Sequence, residues 1–328
     1  MCCLWGLFSY RHQLSLAKRQ QILRVLSIAA EDRGTDATGI AYLKGDRFYV
    51  QKAPRPAHRM RFRLSSNAHI VTGHSRLTTQ GDGRKRNFNN HPFEGIAGNT
   101  RFVLAHNGII HNDKELQSTY HLPPTQIETD SYVAVQLLEQ AGEISFQSLA
   151  KMAETVQGSF TFTVLDVHNN LYIVKGNSPM CIYHFERMGF YLYASTEEIL
   201  DRALTALGLD REAHKKISLT SGEILCIAAD GSRSYACFRD DHLWSISPCY
   251  GLYTPSLLWD WEADGTEFPA DDEDDILTDY SAISGVDRDT LHFLRSAGFG
   301  WLEIEEMLYE DPEWLDSFVT EMKGDTVE

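Results

Sequence analysis

The chain has 328 residues, of which 43% are apolar, and 46 acidic side chains stand against 30 basic ones for a net charge of −16. That composition is ordinary for a globular protein, and no apolar run reaches membrane-spanning length, so no membrane-spanning helix is expected. The six cysteines form no C-x-x-C pair and no metal-finger spacing, so free thiols and no metal are expected. LWGLF near the start is too short for a signal-peptide core, and a soluble cytoplasmic protein is expected.

The charge is uneven. Residues 260–328 hold 22 acidic and 3 basic side chains, while the rest is close to neutral. Nucleic-acid binding therefore has little electrostatic support. RPAHRMRFR at 55–63 and RKR at 84–86 are local basic exceptions. They read as solvated loops, with contact to an anion or an acidic partner as the sharper alternative.

In chain order, Ile22, Val25, Leu26 and Ala29 predict an amphipathic helix over 16–30. GIAYL, RFYVQKA, HIVTGHS and RFVLAHN read as short strands between turn formers. ETDSYVAVQLLEQAG predicts a second helix, with Thr129 or Asp130 as cap and Gly142 after it. SFQSLAKMAETV predicts a third. The runs GSFTFTVLDV, NNLYIVKG, MCIYHFE, FYLYAS and GEILCIAA make the second half strand-rich, with a short helix at 196–204. This order gives an α+β domain over residues 1–238. An acidic connector over 239–275 and a small acidic helical module over 276–328 follow.

Several segments are polar where strands and turns would not require it: Cys2, DRGTDATG at 32–39, GHSRLTTQG at 73–81 with NNHPF at 89–93, and HNGIIHN at 106–112 followed by ETD at 128–130. Each alone has a structural explanation. Asn107-Gly108 is a strong hairpin signal, and Asp130 is a good helix cap. Arg76 fits a surface strand end, and Arg33 with Asp36 fits a turn.

In this order, MCCLWG, RGTDATGIA, GHSRLTTQG, HNGIIHN and ETDS resemble the motifs of the class II glutamine amidotransferases, which are N-terminal-nucleophile hydrolases. The glutaminase domains of glucosamine-6-phosphate synthase and amidophosphoribosyltransferase are of this kind. NSPMCI, YLYAST and SGEILCI are similar to the family's later strands, so the resemblance spans about residues 2–238. It implies a four-layer αββα sandwich and hydrolysis of the glutamine amide through a thioester on Cys2, without a cofactor. It also implies Arg33 near the nucleophile and Thr79 helping to hold the substrate α-carboxylate.

The residue types suit that chemistry. A thiol attacks an amide only once a base takes its proton. A free α-amine on Cys2, with a pKa near 7.7–8, is such a base after removal of Met1. The resulting oxyanion needs preorganised donors, which the Asn107 amide and the Gly108 backbone N–H provide. The guanidinium of Arg76 matches an α-carboxylate, and the carboxylate of Asp130 matches an α-ammonium.

Three residues depart from the family pattern: Cys3 for Gly, Leu77 for the Trp of the sugar synthases, and Gln80 for His. A side chain at Cys3 is expected to add bulk near the site. Nothing after residue 238 is long enough for the synthase domains joined to this domain in known members. A glutaminase whose acidic module docks on a separate ammonia-using synthase is therefore expected. A stand-alone amidohydrolase or transamidase acting on another amide, and a non-catalytic binding or regulatory module on the same fold, are the alternatives.

Overall fold

The strand β1 (Cys3–Ser9) is buried along its whole length and is the second strand of neither edge but the centre of a sheet, so its sequence, CLWGLFS, shows no clean polar alternation. The computed structural model describes residues 2–78, 86–244 and 286–296. The chain divides into two compact units, Met1–Leu243 and Trp244–Glu328.

In the first unit, β1 is followed by α1 (Leu16–Ala29), β2 (Ala37–Lys44), β3 (Arg47–Ala53), β4 (Ile70–Arg76), β5 (Phe93–Ala97) and β6 (Thr100–Ile110). Then come α2 (Asp113–Thr119), α3 (Tyr132–Ala141), α4 (Phe146–Thr155), β7 (Gly158–Asp166), β8 (Leu171–Lys175), β9 (Cys181–Phe185) and β10 (Phe190–Ala194). The unit closes with α5 (Glu197–Leu207), β11 (Lys215–Ile217), β12 (Glu223–Ile227) and β13 (Arg233–Cys237), and α6 (Asp241–Trp244) ends at the division between the units.

These strands build two antiparallel sheets. One has the order β11-β9-β10-β1-β4-β2-β3 and the other β13-β12-β8-β7-β6-β5. Alternation along β1 separates two packing layers. Cys3, Trp5 and Leu7 join Ile22, Leu23 and Leu26 of α1 and Leu200 and Leu204 of α5 in one core on the outer face. Phe8 joins Val103, Leu165, Ile173 and Leu225 of the opposite sheet in a second core between the sheets. On the far side, α3 packs on β5, and α4 packs on β8 and β12. The layers run helix, sheet, sheet, helix, which is the αββα sandwich expected from the sequence.

Local chemistry fixes the helix ends. Ser15 caps α1 by accepting the Lys18 N–H at 3.1 Å, and Ser145 and Ser148 cap α4 reciprocally. Such a cap contributes about 1 kcal/mol. Gly142 ends α3 in the left-handed conformation.

Two expectations change. Asn107-Gly108 does not turn the chain: both lie inside β6, opposite Thr161 and Phe160 of β7. The reversal falls earlier, between Ala97 and Thr100. Neither Thr129 nor Asp130 caps α3, whose N-cap is Ser131 without a side-chain cap bond. The strands β1, β5, β11 and β13 and the helix α2 were not anticipated.

The segment 55–63 is loop with one short 3-10 turn, Ala57–Arg59, and with Gln20 and Arg24 it lines an open groove. Of the second basic cluster, Arg86 pairs with Glu128, while Arg84 and Lys85 lie outside the described residues. In the second unit, α7 (Arg288–Ser296) buries Leu291 and Leu294. The connector over 245–275 and the helical segments expected over 301–323 also lie outside the described residues. No helix among the described residues is long and apolar enough to cross a membrane.

Candidate active site

Cys2 immediately precedes β1 and has the strand parity of Leu4 and Phe8, opposite to that of Cys3. It lines a narrow cleft together with Arg76, Leu77, His91, His106, Gly108, Thr129, Asp130 and Ser131. Its thiol donates to the Leu77 carbonyl at 3.4 Å, and the Arg33 Nε–H donates to the Cys2 carbonyl at 3.0 Å. Burial pushes the Cys2 thiol up, while the charge of Arg76 pulls the other way. A thiol so placed is protonated at rest and needs a base before it can attack.

Cys3 does not add bulk to the cleft. It is fully buried in the helix-side core, and burial lifts its thiol to about 11.

Sheet pairing brings the remaining segments to Cys2. β4 runs beside β1 with Ser75 opposite Cys3, so the next residue, Arg76, reaches the cleft. Arg76 is 3% exposed, which excludes a surface role, and its Nη1–H donates to Asn90 Oδ1 at 2.7 Å. Asp36 pins the chain that follows: its N–H donates to the Arg76 carbonyl at 2.9 Å, and its Oδ2 accepts the Thr78 N–H at 2.9 Å. Gly34 is required here, because a Cβ would lie 2.4 Å from the Arg76 carbonyl carbon.

β6 supplies the opposite wall. Its neighbour β5 pairs only as far as Leu104, so residues 105–110 have no ladder partner on that side. The backbone groups facing that side find other partners. The His106 carbonyl accepts the His74 Nε2–H at 2.9 Å, and the Ile110 N–H donates to Asp130 Oδ2 at 2.6 Å. Ile109, of opposite parity, donates to Ser159 Oγ. Gly108 shares the parity of His106 and Ile110, so its N–H is directed to the cleft side. Only glycine fits there: φ is +136°, and a Cβ would sit 2.0 Å from the Ser159 carbonyl oxygen.

Asn107 is buried, and its Nδ2 donates to Ser195 Oγ at 3.3 Å. Ser195 also accepts the Leu4 N–H at 2.9 Å, so one hydroxyl ties Asn107 to the nucleophile strand. Sequence reasoning missed Ser195; its signal was a polar residue closing the apolar strand FYLYA. Asp130 receives Ser131 Oγ as a second donor at 3.3 Å, and Ser131 Oγ lies 2.8 Å from His106 Nδ1. The NNHPF and ETD segments are clasped together by Asn89 and Glu128, at 2.9 and 3.0 Å. Thr79 and Gln80 lie outside the described residues. The described residues thus gather Cys2, Arg76, Gly108 and Asp130 at one cleft, with Arg33 and Asn107 hydrogen-bonded to its framework. No metal-binding cluster occurs among them.

Three buried histidines stand at the cleft, His91 and His106 in its lining and His74 beside them, all held neutral. Burial is the main cause for each; it takes His74 to about 3, and His91 and His106 also fall below 6.5. Neutral imidazoles in the fold favour the folded state above pH 6.5, because the unfolded chain binds more protons below it. Stability is therefore lost as pH falls below 6.5 toward the folded-state values, by up to about 1.4 kcal/mol per pH unit for each such group. The urea midpoint should drop steeply between pH 7 and pH 5; a flat midpoint would show that these rings are not buried neutral.

An αββα sandwich whose cleft opens beside a thiol at the start of a central strand defines the N-terminal-nucleophile hydrolase class. Residues 74–202 match the family described as glutamine amidotransferase domain. Over that stretch the first unit is similar to glutamine amidotransferase domains. The chain is 27% identical over 210 residues to 7-cyano-7-deazaguanine synthase of Sulfolobus acidocaldarius, covering 61% of this chain and 44% of that protein. It is 29% identical over 241 residues to the isomerizing glutamine–fructose-6-phosphate aminotransferase of Staphylococcus aureus, covering 71% and 38%. It therefore spans less than half the length of these curated relatives. Among solved structures, the glutamine phosphoribosylpyrophosphate amidotransferase of B. subtilis shares the fold, with a TM-score of 0.58 at 17% identity over 73% of this chain and 49% of that one.

Proposed function

We propose that the domain hydrolyses the side-chain amide of glutamine through a thioester on Cys2 and that a separate synthase uses the ammonia. The observation carrying this reading is the convergence of Cys2, Arg76, Gly108 and Asp130 on one cleft. The α-amine of Cys2, freed by removal of Met1, takes the thiol proton, and sulfur attacks the amide carbon. The Asn107 amide and the Gly108 N–H stabilise the oxyanion. The C–N bond then breaks, ammonia leaves with the transferred proton, and water hydrolyses the thioester to glutamate. Arg76, helped by Thr79, holds the α-carboxylate; Asp130 holds the α-ammonium. Arg33 fixes the backbone of Cys2. The test is an assay of glutamate and ammonia released from glutamine in equal amounts; release of neither overturns the reading.

Arg76→Ala should act mainly on KM, because the α-carboxylate keeps its charge throughout the reaction. A loss confined to kcat would reassign Arg76 to the reacting centre.

The reaction is assigned to the cytoplasm, where free thiols persist. Transfer of ammonia to an acceptor has support in the names of two relatives, a synthase and an aminotransferase. The acidic segment over 260–328 is assigned to docking on a basic surface of the synthase. Exposed charges are screened beyond about 10 Å at 0.1 M salt, so the complex should dissociate as salt is raised. Size-exclusion chromatography of the pair at low and high salt checks this, and salt-independent association would rule it out.

A further inference from the structure

The basic segment RPAHRMRFR at 55–63 has no part in the reaction above. Met60, which follows the 3-10 turn Ala57–Arg59, is extended at φ −83° and ψ 145°. From there the side chains alternate. Met60 is buried, Phe62 lies 5.8 Å from Trp5 between ring centroids, and Phe62 and Leu64 pack on the helix-side core. Arg59, Arg61 and Arg63 are exposed on the other side. Two residues of extended chain advance about 6.6 Å, so the three arginines stand in a row at that spacing.

Side chains from β2, β3 and α1 hold this backbone. Gln51 of β3, the edge strand of its sheet, donates from Nε2 to the Arg61 carbonyl at 2.8 Å and accepts the Arg63 N–H at 3.0 Å. One amide thereby serves the segment as a neighbouring strand would. Tyr42 of β2 donates its hydroxyl to the Arg63 carbonyl at 2.9 Å. Arg24 of α1 donates to the Met60 carbonyl at 3.1 Å and to the His58 carbonyl at 3.3 Å, and Glu31 accepts the His58 N–H. All of these bonds end on the backbone of the segment. Among the described residues, the side chains of Arg59, Arg61 and Arg63 form no hydrogen bond or ion pair. Like charges fixed in one row repel, and exposed surfaces ordinarily intersperse the two signs. A backbone clamped in place beneath three unpaired cations is a docking face without its counter-charge.

The matching charge is in the same sequence. Residues 271–275 read DDEDD, so Asp271, Glu273 and Asp275 repeat at the two-residue interval of Arg59, Arg61 and Arg63. A guanidinium and a carboxylate form two parallel hydrogen bonds, which makes arginine the better cation for such a contact.

We propose that the row of Arg59, Arg61 and Arg63 binds the acidic run 271–275 of a second copy of this chain. Each copy carries both halves, so a pair of copies uses the contact twice. The run belongs to the segment assigned to the synthase, so the synthase competes with self-association. The inference does not depend on the glutaminase reading.

The test is sedimentation velocity of the full chain over a range of concentrations. At low salt the wild type should associate as its concentration rises. At about 1 M salt, where charges are screened beyond about 3 Å, it should be monomeric. R59E/R61E/R63E should weaken association roughly tenfold or more, since each exposed ion pair contributes a factor of about 1.5–5. D271K/E273K/D275K should do the same. Mixed together, the two variants should associate again, because one keeps an intact run and the other an intact row. The reversed side chains make none of the bonds that hold the segment, so thermal melting followed by circular dichroism should match the wild type. Should R59E/R61E/R63E fail to fold, R59Q/R61Q/R63Q gives the same reading with a smaller loss. A wild type that is monomeric at every concentration overturns the proposal, as does a mixture that stays monomeric. Association lost in the row variant but kept in the run variant would assign the row to another acidic partner and overturn it too.

Discussion

Cys2→Ala should reduce glutamate release to background, whereas Cys3→Ala should retain most of it. The two thiols are adjacent in sequence, but strand geometry sends them to opposite faces. Cys2 lines the cleft, while Cys3 is packed with Trp5, Leu7 and α1 in the helix-side core. Burial lifts the Cys3 thiol to about 11, so it supplies almost no thiolate at neutral pH. The cost of Cys3→Ala is a small cavity, worth about 1 kcal/mol of stability. Burial also raises the Cys2 thiol, and this is why a base must act on it. Its own α-amine serves only if Met1 is gone, so intact-mass measurement of active protein should show that loss. Full activity with Met1 retained would rule out the α-amine as base. Activity lost in Cys3→Ala and kept in Cys2→Ala would exchange the roles of the two thiols.

The polar segments of the sequence were readable because their composition conflicts with local structure. Arg76 at the end of an apolar strand, Asn107-Gly108 within HNGII and Asp130 before a helix each fit a local explanation. In the structure Arg76 is buried, Asn107-Gly108 stays extended, and Asp130 accepts from Ile110 instead of capping α3. What sequence could not give was the partner across the cleft. The bond from Asn107 to Ser195 spans 88 residues and that from Leu4 to Ser195 spans 191. No local periodicity encodes such contacts. β1 was hidden for a related reason: flanked by β10 and β4 and buried on both faces, it has no polar face to reveal its period. The helices were easier, since Ser15, Ser145 and Gly142 mark their ends in the sequence.

Asn107→Ala should lower kcat by roughly 10²–10³ with little change in KM, the usual loss for one oxyanion donor. The proposed role requires an amide held rigid before charge develops. The bond to Ser195 Oγ fixes one N–H of Asn107, and that hydroxyl is itself fixed by Leu4 N–H in the nucleophile strand. Donor and nucleophile are thereby tied to one framework, so their separation does not depend on substrate. Ser195→Ala should consequently lower kcat less than Asn107→Ala does, because the amide remains but its orientation loosens. The double variant should then be no worse than Asn107→Ala alone, since Ser195 acts through the amide. Gly108→Ala should be as damaging as Asn107→Ala for a different reason: the new Cβ would meet the Ser159 carbonyl at 2.0 Å, forcing β6 away from β7 and turning the backbone N–H from the cleft. Steady-state kinetics on the four variants check the set. Additive losses for Asn107 and Ser195 would show that Ser195 acts independently of the amide. A loss in Asn107→Ala confined to KM would show that the amide grips the ground-state substrate and not the oxyanion.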